Sequence, residues 1–126
     1  VIVDSLFTFL AADAGIAALC QSIHPQTLPQ NATYPAITYS LDAESRDQLL
    51  AEIGLLKTAL IEINAWHSDH FTAHQLTDAI ENALAGYRGA FGSKTAEHIR
   101  LERKFELFES DSGLYRVSQQ FLIAYY

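Results

Sequence analysis

The sequence predicts an α+β fold: a small, mostly antiparallel sheet of about four strands packed against one long helix, with a helical segment at the N-terminus. Three observations predict it. From Lys57 to Trp66 the residues alternate, with Ala59, Ile61, Ile63 and Ala65 on one side and Thr58, Glu62 and Asn64 on the other, which is the period of a half-buried strand. After the polar break His67-Ser68-Asp69 the period lengthens. Phe71, Leu76, Ala79, Ile80, Ala83, Leu84 and Tyr87 then share one helical face, and that face needs a sheet beneath it. The end of the chain carries two more strand-like runs, separated by the turn sequence Glu109-Ser110-Asp111-Ser112-Gly113.

A length of 126 residues fits one domain over 1–126, able to bury roughly two thirds of its unfolded surface. An apolar fraction of 49% and a charged fraction of 18% suit a soluble globular protein, and no apolar run approaches the ~20 residues of a membrane helix. Fifteen acidic against eight basic residues give a formal charge of −7, which argues against a broad phosphate-binding surface. The single Cys20 has no intramolecular disulfide partner and sits in an apolar context, as expected in a reducing compartment. The first residues lack the basic n-region of a signal peptide. Asn31-Ala32-Thr33 matches a glycosylation acceptor and is read as a plain loop.

In chain order, Asp4 or Ser5 is expected to cap a first helix bearing Leu6, Phe9 and Leu10, and Asp13 to start a second, short one bearing Ile16, Ala17, Leu19 and Cys20. Three prolines between Ile23 and Pro35 predict an extended connector. Ala36 to Leu41 is a strand, with Ile37, Tyr39 and Leu41 on one face. Residues 42–56 favour a hairpin arm with its tip near Glu44 to Gln48, and a short helix is the alternative. Arg46, Leu49, Leu50, Ile53 and Leu56 form a strip there, a candidate contact with another copy of the chain. Asp69 is expected to cap the main helix, and the glycines at 86, 89 and 92 to end it and form a loop up to Ser93. Thr95 to Phe108 and Leu114 to Tyr125 complete the sheet as a hairpin, with cross-strand ion pairs on its exposed face.

Candidate chemistry is sparse. His67, His70 and His74 are the only cluster at metal-ligand spacing, with Asp69 as the sole nearby carboxylate, and they are read as a solvated helix start. The serines sit in caps and turns without a nucleophile elbow, and the glycine loop follows a helix where a phosphate loop would precede one. Glu102, Glu106, Glu109 and Asp111 are read as a solvated strand edge and turn. No catalytic, cofactor-binding or metal residues are therefore assigned.

The runs Ile99-Arg100-Leu101-Glu102, Leu107-Phe108-Glu109, Ser112-Gly113-Leu114-Tyr115-Arg116-Val117-Ser118 and Phe121-Leu122-Ile123-Ala124-Tyr125 resemble the end of the tail-completion (tail terminator, head-to-tail joining) family of long-tailed bacteriophages and prophages. Residues Leu10 to Leu19, the proline-marked segment Ile23 to Ile37, Ile61 to Trp66 and Ala79 to Gly89 are similar to other parts of that family, so the resemblance spans nearly the whole chain. Residues 42–56 depart from it by being richer in leucine. The resemblance implies a structural virion protein without catalysis or cofactor. It would assemble in the host cytoplasm as a hexameric ring at the head-proximal end of the tail tube, between the tail tube protein and the head connector. DNA would pass through its lumen, and no membrane is involved. Two other classes are compatible with the residues alone: a small homo-oligomeric α+β ligand-binding domain, and a metal-dependent enzyme using His67, His70 and His74.

Overall fold

In a computed structural model, residues 2–46 and 57–126 are described. Two N-terminal helices, α1 (Ile2–Ala12) and α2 (Ala14–Leu19), lead into β1 (Ser22–Pro25) and β2 (Ala36–Arg46). There follow β3 (Lys57–His67), α3 (His70–Leu84), β4 (Gly89–Phe91), β5 (Lys94–Glu109) and β6 (Leu114–Tyr125). The strands form one sheet in the order β1-β2-β3-β6-β5-β4. Only the β1–β2 pair is parallel.

This corrects the expected architecture of about four strands against one long helix. Among the described residues the sheet is mixed and has six strands, and the helices are short, the longest having 15 residues. The two strands missing from the sequence reading lie in the expected proline connector and glycine loop. Four-residue β1 and three-residue β4 are too short to show a period, and each exists because a longer neighbour offers it an edge. β1 pairs through Ile23 with Ile37, and its Pro25 is tolerated at a sheet edge. β4 pairs with β5 through Gly89–Ala96 and Phe91–Lys94.

The core lies between one sheet face and the helices. Ile37, Ile61, Ile63, Phe121 and Ile123 meet Leu6, Leu10, Ile16, Leu76, Ile80 and Leu84, all with no solvent exposure. Asp13 caps α2 as expected, accepting from the Ile16 N–H at 3.0 Å. α1 starts at Ile2, so Asp4 stands in its first turn, where a carboxylate suits the helix dipole. Ser5, the other expected cap, is buried against the β4–β5 turn: a Cβ on Gly92, whose φ is +59°, would lie 2.7 Å from Ser5 Cα. Burial raises the pKa of Tyr39, helped by the Asp4 charge, and burial raises that of the Cys20 thiol, which donates to the Ser22 carbonyl.

Two departures from simple alternation shape the rest. In β2 the register shifts between Leu41 and Ala43, and Leu41, expected beside Ile37 and Tyr39, is 38% exposed. In β5 it shifts between Ala96 and His98 and again between Leu101 and Arg103. A bulge adds a residue to one strand and re-aims every side chain after it. Ile99 pairs with Ile123 and Leu101 with Phe121 on the core face; past the second bulge the residues on that face are Lys104, Glu106 and Phe108, opposite Gln119, Val117 and Tyr115. Unbroken alternation would have put Arg103, Phe105 and Leu107 there.

Candidate functional site

The distal half of the β5–β6 hairpin and the start of α3 come together at one end of the molecule. α3 buries Ala73, Leu76, Thr77, Ile80 and Leu84, a series at helical spacing. Phe71, which the sequence reading placed on that face, does not belong to the series and is 75% exposed. Leu107 and Phe108 in β5 are also exposed, at 42% and 55%. Phe71, His70, Tyr115 and Phe108 form a chain of rings, with successive centroids 5.4, 5.2 and 4.8 Å apart. The result is an apolar surface at the hairpin end, continuous with the helix start.

Beside these rings α3 is joined to β5 by polar contacts. His70 Nε2 and His74 Nε2 lie 2.5 and 3.1 Å from the same Glu106 oxygen, and one turn further Asp78 faces Lys104 at 3.7 Å. Under the helix, Gln119 Nε2 donates to the Thr77 carbonyl at 3.1 Å. The ion pairs expected across strands take other forms here: Arg100 bonds Glu102 along β5, and Arg88, before β4, meets Glu97 at 2.8 Å. Among the described residues, the group of histidines and carboxylates with metal-ligand proximity is His70, His74 and Glu106.

The expected cluster is therefore rearranged. His67 Nδ1 accepts from the Asp69 N–H at 2.7 Å, which shapes the turn before α3. Asp69 caps the helix, accepting from the Thr72 N–H at 3.1 Å and from the Thr72 hydroxyl at 2.5 Å, and these bonds hold its pKa below the usual carboxylate value. Glu106, read as an ordinary edge carboxylate, takes the place that Asp69 was expected to fill. No local spacing connects Glu106 to His74, 32 residues earlier, or to His70 one turn before that; only the strand order and the bulge bring them together. Of the interface candidates, Arg46 ends β2, paired in register with Lys57. Leu49, Leu50, Ile53 and Leu56 lie outside the described residues.

A core closed beneath one sheet face, with an apolar hairpin end outside it, describes a small β-rich protein without an enclosed catalytic constellation among the described residues. Comparison gives the family. The profile of the family described as "Tail completion protein gp17" matches residues 4–126, and the chain belongs to that family. It is a structural protein of the phage tail, located in the virion tail and assembled there with other virion proteins. A search of curated proteins finds no match. A solved chain from "Virion of native gene transfer agent (GTA) particle" shares the fold, with a TM-score of 0.70 and 18% identity over 95% of this chain and 90% of that one.

Proposed function

We propose that the chain acts as one domain over residues 1–126 and closes into a hexameric ring at the head-proximal end of the tail tube. The ring stops tube growth and presents the surface on which the head connector docks. The mechanism is geometric: each subunit contacts the next through two different patches, and a rotation that closes gives a ring with an open channel. DNA passes through the channel without specific binding, in keeping with the formal charge of −7, and no reaction is catalysed.

The observation that carries this reading beyond family membership is the hairpin end, where Leu107 and Phe108 are exposed. They lie on opposite faces of a strand whose outer edge, past Ala96, has no neighbouring strand among the described residues. Such an edge with apolar side chains is a template for association. The strip Arg46, Leu49, Leu50, Ile53 and Leu56 is the second patch in the proposal. Light scattering across a concentration series, followed by electron microscopy with purified tail tubes, tests it. Rings seated on one end of the tubes are expected. A monomer at every concentration that leaves tube ends bare would overturn the reading.

A further inference from the structure

We propose that His70, His74 and Glu106 bind one divalent transition-metal ion of the zinc class, and that the ion clips α3 to the distal part of β5. Each residue offers one ligand atom, and the three atoms lie within 4.8 Å of one another. Two come from successive turns of one helix. The third comes from β5, whose bulge between Leu101 and Arg103 puts Glu106 on the face of the sheet that carries the helices.

The donor set selects the class of ion. Two imidazole nitrogens and one carboxylate oxygen suit zinc and its neighbours, whereas calcium and magnesium take oxygen ligands. Zinc bonds of about 2.0–2.2 Å in a tetrahedral arrangement place ligand atoms about 3.3 Å apart. The present Nε2–Oε1 separations of 2.5 and 3.1 Å both fall short of that spacing, and rotations of the two rings and the carboxylate that part them by roughly 1 Å or less open the site to the ion. The His70 ring is already bounded by His74 at 4.6 Å and Tyr115 at 5.2 Å, which limits the orientations it must give up on binding. The Asp78–Lys104 pair holds the next turn of the helix over the same strand. Side-chain exposures of 33–39% leave a path for the ion and room for water as a fourth ligand.

The same geometry has a simpler chemistry available to it, in which both Nε2–H groups donate to one carboxylate oxygen and no ion is needed. Titration separates the two. Full-length protein freed of metal with a chelator is titrated with zinc chloride at neutral pH by calorimetry, and hydrogen exchange of the β5 amides is followed with and without zinc. One zinc per chain is expected, with slowed exchange around Glu106. Binding should be lost in His70→Ala, His74→Ala and Glu106→Gln, and kept in His67→Ala. All four side chains lie at the surface, and circular dichroism confirms that each variant is folded. Absence of stoichiometric zinc binding, binding that survives the His70→Ala, His74→Ala double substitution, or equal loss in His67→Ala would each overturn the proposal. None of these outcomes depends on ring formation.

Discussion

β5 and β6 are the two arms of one hairpin, and they use their apolar residues in opposite ways. β6 lies between β3 and β5, and it buries Val117, Ser118, Gln119, Phe121, Ile123 and Tyr125. β5 buries only Ala96 and Ile99, although it is the longer strand, with 16 residues against 12. Phe105 and Leu107 lie on the face turned away from the helices, and Phe108, on the helix side, is left 55% exposed. Position in the sheet, more than composition, decides which arm supports the fold. The outer half of β5 leaves Leu107 and Phe108 exposed while Glu106 meets α3.

The comparison is most severely tested at matched aromatic residues. Phe121→Ala should destabilise the chain by about 3–5 kcal/mol, because it opens a cavity in a fully buried site. Urea unfolding measures this, and a loss under 1 kcal/mol, well below that range, would show that β6 is not the central arm. Next in size is Gly92→Ala, at the turn joining β4 to β5. A side chain there needs a left-handed backbone conformation and meets Ser5 Cα, for a cost of about 1–3 kcal/mol visible in the same assay.

Asp69→Ala should lower the melting temperature by a smaller amount, through loss of the α3 cap. Its pH dependence has a definite sign. The folded-state pKa lies below the ordinary 3.8, so the stabilisation is present above that value and lost as pH falls through the folded pKa. Melting curves of the parent and the variant should therefore converge in strong acid; a gap that stays constant would mean that the charge of Asp69 is irrelevant. The smallest change in stability belongs to Phe108→Ser, within about 0.5 kcal/mol, typical of surface positions. Its effect should appear in sedimentation with tail tubes, where the variant binds less. A Phe108 variant as unstable as the Phe121 one would erase the distinction between the two arms.

Much of this was legible in the sequence, for reasons that differ by element. Ile61, Ile63 and Ala65 announce β3, and Leu76, Ile80 and Leu84 announce α3, because a buried face imposes its period on the residues. β1 and β4 announce nothing, since their pairing is supplied by Ile37 and Ala96 on neighbouring strands. The fold class was misjudged for that reason. Grouping Phe71 with Leu76 and Ile80 on one helical face overlooks its offset of five from Leu76, which places it off the stripe that Ala73, Leu76 and Ile80 define. Glu106 was not legible at all as a partner of His70 and His74. Its orientation depends on a bulge that no residue type marks.

The bulge between Leu101 and Arg103 acts on the hairpin as a frameshift acts on a message. Removing Glu102 would take out the bulge and leave each downstream pairing as it is, whereas one residue added after Arg103, and paired without a further bulge, would exchange the two sides from there to the turn. Phe105 and Leu107 would then come to the side of α3, and Lys104, Glu106 and Phe108 would face away. A single-codon insertion, with no change in composition elsewhere, would thus dissolve the histidine–glutamate cluster and present a different chemistry at the hairpin end. The upstream pairing of Ile99 with Ile123, on which the core depends, would be left in place. The hairpin end of this chain can be rewritten by length alone.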